Sequence, residues 1–384
     1  MIERATFILE NARVVLAEQV IERGYVAVDN GVIVEVGEGA APERGIDFSG
    51  DLLLPGLVEL HTDHLEAHVV PRPKVHWDLA AAVISYDAQI ATSGITTVLD
   101  SLRVWREEGA EEVDGQAGTL AQAIENVRAA GLLRIAHFLH LRCEIPMPKV
   151  VDDASELIGR QDVRLLSLMD HTPGQRQFRD PVKLRDYYRG KSGGMSEAEL
   201  DILFARRIEN HARHAAPNYQ GLLELARVHG TPLASHDDTT PAHVTQSVHD
   251  RVVIAEFPTT MEAATALHAA GIRVLMGAPN LIRGGSHSGN VATADLARAG
   301  TLDILSSDYV PSSLLIAALR LPDAANNFDL PAAIRTVSKT PAEIVGLIDR
   351  GEIAVGKRAD MIRVHRASDA AAVRCVWSGG SRVA

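Results

Sequence analysis

Cysteine is almost missing from this chain. Cys143 and Cys375 are the only two in 384 residues, which excludes a disulfide scaffold and suits a reducing compartment. Basic side chains are outnumbered 38 to 50, leaving a formal charge of −12. That balance excludes general nucleic-acid binding, which needs a basic face to displace counterions. No apolar run approaches the roughly 20 residues that span a bilayer; the best, Leu314 to Leu319, is far too short. The opening MIERATFILENARVV lacks a basic flank, a continuous apolar core and a small-residue cleavage site, so no secretion signal is visible. A cytoplasmic protein without membrane attachment is expected. Hydrophobic residues at 46% and charged ones at 23% exclude disorder and collagen-like structure and allow a large core. The length suits two or three domains, or one large barrel with attachments.

Histidine, by contrast, is plentiful, with 16 copies. His61, His140, His171 and His236 each stand at the end of a short apolar run. Residues 5–54 read as short strands: Phe7–Leu9, Arg13–Leu16, Tyr25–Val28, then an Asp29-Asn30-Gly31 turn and Val32–Val36. From Leu57 onward, strand-like and helix-like segments alternate. Strands are expected at Leu57–His61, Ile95–Leu99, Leu133–Leu141, Val163–Met169, Pro232–Ser235, Val252–Ala255, Ile272–Met276 and Leu302–Leu305. Helical periodicity marks Leu79–Thr92, Thr119–Ala130, Tyr219–His229, Met261–Ala270 and Val291–Ala299. Eight such repeats in about 250 residues indicate a closed (β/α)8 barrel, a TIM barrel. An open doubly wound sheet is the alternative, but no G-x-G-x-x-G follows the first strand.

After two further helical segments, Leu330–Thr340 and Pro341–Ile348, strand character returns over 351–364 and Val373–Trp377. These late strands are too few for a core of their own. They are expected to pair with residues 5–54 in a small composite β-sandwich domain, 1–53 with 349–384, into which a barrel of residues 54–348 is inserted. Residues 172–218 form one long polar insertion with a Gly193-Gly194 hinge.

Functional side chains of such a barrel gather at the C-terminal ends of its strands. The first end carries His61 and Asp63, aimed to one side by the period of two. The third carries His140, Arg142 and Glu144; the fourth Asp170 and His171; the fifth His236, Asp237 and Asp238; the eighth Asp308. A lone histidine at a strand end is usually a capping or hydrogen-bonding residue. Recurrence at successive ends is different, because Val, Ile and Leu ordinarily fill a barrel. Nitrogen and carboxylate groups converging from several strands suit a transition-metal site. Asp237 and Asp238 either orient His236 or cap the following helix.

These marks resemble the amidohydrolase superfamily: Leu54-Pro-Gly-Leu-Val-Glu-Leu-His61-Thr-Asp63 after an N-terminal sheet, two later histidines, Asp308, and a closing Gly351-x-Ile-x-x-Gly356-x-x-Ala-Asp360. More narrowly, several segments resemble the triphosphate diphosphatase family of the carbon–phosphorus lyase pathway. They are His61-Thr-Asp-His-Leu-Glu66 with Pro71-Arg-Pro73, Asp87-Ala-Gln89, His140-Leu-Arg-Cys-Glu144, Met169-Asp-His-Thr-Pro-Gly-Gln175 and Gly277 to Asn290. The chain departs from most of the superfamily in having His61-Thr-Asp63 for His-x-His. It also has no strand-end lysine for a carbamate, and Glu144 is the natural substitute.

The resemblance implies a metal-dependent hydrolase with two divalent ions (Zn, Mn or Fe). One would be held by His61, Asp63 and Glu144, the other by Glu144, His171 and His236. Asp308 would be a further ligand or the catalytic proton acceptor. The implied substrate is alpha-D-ribose 1-methylphosphonate 5-triphosphate, cut between α and β phosphorus to release pyrophosphate. Such a phosphorylated small molecule needs donors, and Arg142 shares a face with Glu144. The glycine-rich loop bearing Ser286, His287 and Asn290 is a second source, since small residues let backbone N–H groups approach an anion. Arg72, Arg176 and Arg283 suit bidentate phosphate contact, though ordinary surface charge explains them equally well. A homo-oligomer is implied as well. The competing readings are an amidohydrolase acting on a C–N bond and a scaffold that has lost its metals.

Overall fold

The computed structural model describes residues 6–105, 117–178, 184–185, 196–286, 289–325, 327–368 and 370–384. Five strands come first: β1 (Phe7–Val15), β2 (Val20–Asp29), β3 (Val32–Glu38), β4 (Ile46–Asp47) and β5 (Leu52–Pro55). The two strands expected over 7–16 are one. Asn11 takes a left-handed φ of 54° and throws the register between Leu9 and Ala12, so a bulge interrupts the apolar pattern without ending the strand. Asn30 and Gly31, at φ 50° and 81°, make the tight turn between β2 and β3 that this pair of residues favours.

The barrel strands are β6 (Leu57–Thr62), β7 (Ile95–Arg103), β8 (Ala136–Glu144), β9 (Val163–Met169), β10 (Leu233–His236), β11 (Ile254–Glu256), β12 (Arg273–Gly277) and β13 (Ile304–Ser306). All eight expected strands are present, and they pair in sequence order, each parallel to the next. A bridge between Thr62 and Asp308 brings β13 back to β6. Glu59 seams the same junction: its carboxylate accepts the Ser307 backbone N–H at 2.6 Å and lies 2.7 Å from the Ser306 hydroxyl. Val58, Leu60, Leu99, Leu165, Ala234, Ile254, Leu275 and Ile304 fill the interior, as a packed (β/α)8 barrel requires.

Helices pack outside. That of Leu79–Thr92 starts where the sequence indicates, capped by the Asp78 carboxylate on the Ala81 N–H. The helix expected to begin at Tyr219 instead runs from Glu197 to His229, through Pro217. It takes in the latter part of the 172–218 segment; Gly193 and Gly194 lie outside the described residues. A Ser196/Glu199 capping box opens it and Gly230, at φ 66°, closes it.

The last strands are β14 (Met361–Arg366), β15 (Ala371–Ser378) and β16 (Ser381–Arg382). Strand character expected from Gly351 begins only at Met361, because Gly351 and Gly356 turn at φ 86° and 87°. β14 pairs antiparallel with β5, giving one sheet ordered β16-β15-β14-β5-β1-β2-β3, with β4 beside β1. Leu9, Val26, Val28, Phe48, Leu53, Met361 and Trp377 form its core. Asp360 joins this sheet to the barrel: its carbonyl accepts the Gly56 N–H at 2.8 Å, while its carboxylate takes Arg358 Nε and the Gly379 N–H.

Candidate metal centre

The C-terminal ends of β6, β8, β9 and β10 deliver the expected histidines and carboxylates to one buried region. His61 is 2% exposed, and its ring lies 5.5 Å from that of His236, nearly parallel. The His171 and His236 rings are 5.4 Å apart, edge to face. Glu144 accepts both the backbone N–H and the Nδ1 of His171 at 2.6 Å. Burial pushes its carboxyl up, but His171 outweighs this and holds it below the ordinary range. The same pairing raises His171 against its own burial.

The chain turns sharply as it leaves β10, β11 and β13. Asp237, Phe257 and Asp308 all take left-handed backbone angles, φ 56°, 53° and 55°. Such strain in residues other than glycine costs on the order of 1 kcal/mol or more and gathers at functional sites. Here it aims three side chains across the barrel mouth.

Asp237 is the most informative. It is 2% exposed, and its Oδ2 has no hydrogen-bond partner. That oxygen lies 3.8 Å from His171 Nε2 and 3.6 Å from His236 Nε2. These separations are too long for hydrogen bonds. The shorter equals, and the longer slightly exceeds, the roughly 3.3–3.6 Å edge of a tetrahedron around a cation bound at about 2.0–2.2 Å. Burial, against the pull of His171 and Arg176, pushes the Asp237 carboxyl up to about 7. An orphaned buried oxygen facing two imidazole nitrogens fits a divalent metal ion.

A second convergence, of His61, His140 and Glu256, is closed by hydrogen bonds instead. Glu256 Oε1 lies 2.9 Å from His61 Nδ1, and Oε2 lies 3.0 Å from His236 Nδ1 and 2.7 Å from the Ser167 hydroxyl. His140 is taken up by Ser167 at 2.5 Å and the Leu60 carbonyl at 2.9 Å. Burial lowers His140 and His236 to about 3, so both are neutral. Glu256 is pushed up by burial, yet the surrounding histidines hold it well below the ordinary range. It is an ionised acceptor.

Asp63 faces Arg142 Nη1 at 3.3 Å and Arg103 Nη2 at 3.8 Å. Burial raises its carboxyl and these two cations, Arg142 first, bring it below the ordinary range. Arg103 and Arg142 are register partners at the ends of β7 and β8, and Arg103 also holds Glu66 at 2.7 Å. Asp308 feels Asp63 and His61; burial first, then Asp63, pushes its carboxyl up to about 6.

The other expected residues lie differently. Arg176 is turned inward, donating to the His236 carbonyl and to Asp238, both at 2.7 Å. Arg72 and Arg283 are exposed. The glycine-rich loop follows the helix Ala278–Arg283 and not β12 directly; Ser286 and Asn290 are half-buried, and His287 lies outside the described residues. Sequence reasoning missed Glu256 and Arg103. Both end a barrel strand, the sixth and the second, so the rule applied to the first, third, fourth, fifth and eighth strands reaches them when applied to all eight.

Comparison with known proteins agrees with this architecture. The chain is 45% identical over 380 residues to the alpha-D-ribose 1-methylphosphonate 5-triphosphate diphosphatase of Escherichia coli (strain K12), covering 98% of this chain and 100% of that one. The amidohydrolase family profile matches residues 203–383. The chain belongs to the amidohydrolase family. Solved structures of low identity share its fold over nearly full length. Dihydropyrimidinase from Brevibacillus agri NCHU1002 aligns with a TM-score of 0.64 at 13% identity, covering 98% of this chain and 95% of that one. A beta-aspartyl dipeptidase from Fervidobacterium islandicum AW-1 aligns with 0.62 at 16%, covering 98% and 96%.

Proposed function

We propose that this chain hydrolyses alpha-D-ribose 1-methylphosphonate 5-triphosphate to ribose 1-methylphosphonate 5-phosphate and pyrophosphate. The observation that carries the reading is its 45% identity, end to end, with a diphosphatase of that name. The site supports it. Two guanidinium groups, Arg103 and Arg142, stand beside Asp63, where a polyanion needs bidentate donors.

The ligands proposed are His61, Asp63, Glu144, His171, His236 and Asp308 for two divalent ions of Zn, Mn or Fe, with Asp237 beside the second. Bound there, the ions would supply Lewis-acid charge and make water more acidic at neutral pH. Arg142 and Arg103 hold the phosphoryl oxygens. Ser286 and Asn290, with His287, offer further donors. Asp308, with its carboxyl pushed up to about 6, takes a proton from the attacking water on a carboxylate oxygen. Water's oxygen ends on phosphorus as the bond between the α and β phosphoryl groups breaks.

Pairing of β14 with β5 supports dividing the chain into 1–53 with 349–384 and a barrel of 54–348. Two free cysteines suit the cytoplasm, and no described helix is long and apolar enough to cross a membrane. A homo-oligomer completes the reading.

The experiment is metal content and pyrophosphate release, with ATP as control, on the protein and on Glu144→Gln. Release that needs bound metal and falls at least 100-fold in the variant is expected. Bound metal without release from the phosphonate triphosphate would sink the diphosphatase reading and favour C–N hydrolysis. No metal and no turnover after reconstitution would leave a scaffold.

A further inference from the structure

We propose that Glu256 and Phe257 form the positioning device of this metal centre, one pair of residues fixing His61 and His236 together. The inference rests on the reading above for the identity of the centre. Its geometry stands independently.

An ionised carboxylate only accepts hydrogen bonds. Glu256 meets His61 Nδ1 at 2.9 Å through one oxygen and His236 Nδ1 at 3.0 Å through the other. Both imidazoles therefore carry a proton on Nδ1, which in the neutral ring leaves the Nε2 lone pair free for a metal. A histidine bound to a metal through Nε2 is held in this way by a carboxylate on its other nitrogen. Here one carboxylate serves two histidines from β6 and β10, and those two are proposed to serve different ions.

The next residue fixes the second degree of freedom, rotation of each ring. The Phe257 ring stands edge-on to His61 at 5.1 Å and 85° and to His236 at 5.3 Å and 76°. Its φ of 53° is costly for an aromatic residue, and it turns the ring back over the barrel mouth. Glu256 is 0% exposed, and the Ser167 hydroxyl, shared with His140, stands 2.7 Å from Oε2. No solvent path is needed for the pair to act.

Glu256→Gln provides an isosteric test. An amide keeps one acceptor oxygen and replaces the other by an N–H donor. One of the two imidazoles must then accept at Nδ1, move its proton to Nε2, and lose its metal-facing lone pair. The readouts are histidine tautomers by long-range 1H–15N correlation in the metal-free protein, and bound Zn against a competing chelator. In the native protein, His61 and His236 are expected as Nδ1–H tautomers. In Glu256→Gln one inverts, and one Zn of the two weakens about 10–100-fold. Phe257→Leu should keep both tautomers and weaken Zn less. If Glu256→Gln does not fold, the native tautomers alone decide. Nε2–H on both rings of the native protein overturns the proposal; so does wild-type Zn binding with unchanged tautomers in Glu256→Gln. Neither readout involves substrate, so failure of pyrophosphate release leaves this inference standing.

Discussion

A buried carboxylate oxygen without a partner carries the full cost of leaving water, and Asp237 Oδ2 is in that position. Its carboxyl, pushed up to about 7 by burial, burdens the metal-free fold. The burden starts above the ordinary value of 3.8, grows to pH 7 and then stays constant. Asp237→Asn should therefore stabilise the metal-free protein at pH 8, and less so at pH 5, in urea titrations. The same substitution should weaken metal binding at least tenfold by chelator competition, since an amide is the poorer ligand. A variant that loses stability at pH 8 would show the oxygen to be satisfied after all. None of this is legible in the sequence. Asp237 and Asp238 are adjacent and alike on paper, yet Asp238 is saturated by Ser235, Ser247 and Arg176, and only the left-handed turn at Asp237 separates their fates.

Among the elements, the barrel strands were readable because all but β12, which ends at Gly277, are largely apolar runs that stop at a polar group. Leu57 to His61 and Val163 to Met169 show it plainly. The start of the helix Glu197–His229 was not. Its first half buries little beyond Leu200 and Phe204, so the helical period is faint there, and Pro217 imitates a break. The Ser196-x-x-Glu199 box was the one local signal. Gly56, between β5 and β6, shows how close the two sheets run. A Cβ there would stand 2.2 Å from Thr96 Oγ1, and Thr96 is fully buried. Gly56→Ala should cost about 1–3 kcal/mol, the usual toll of overpacking, measured by chemical denaturation. Pairing it with Thr96→Ser, which removes a methyl but leaves Oγ1, should restore only part of the loss.

Across the whole molecule, stability depends on pH through a second buried network, between the barrel wall and the helix Leu79–Thr92. His137 lies 2.9 Å from Asp100 and 3.3 Å from Asp87. Burial alone would lower it; Asp100 and Asp87 overcome that and raise it to about 9. A raised histidine stabilises the fold fully below its unfolded value of about 6.5, and the gain is lost as pH climbs through 9. Urea midpoints of the native protein should fall between pH 6.5 and 9 more steeply than those of His137→Gln. Parallel slopes would mean that His137 is neutral throughout.

The antiparallel pairing of β5 with β14 sets Leu53 against Arg363, and this orders events on the ribosome. The first strands emerge early, but the edge they must present to β14 stays bare while the entire barrel is made. At about 5–20 residues per second that interval is roughly a quarter of a minute to a full minute. The long wait makes Met361 to Arg382 the last of the described strands to join the sheet.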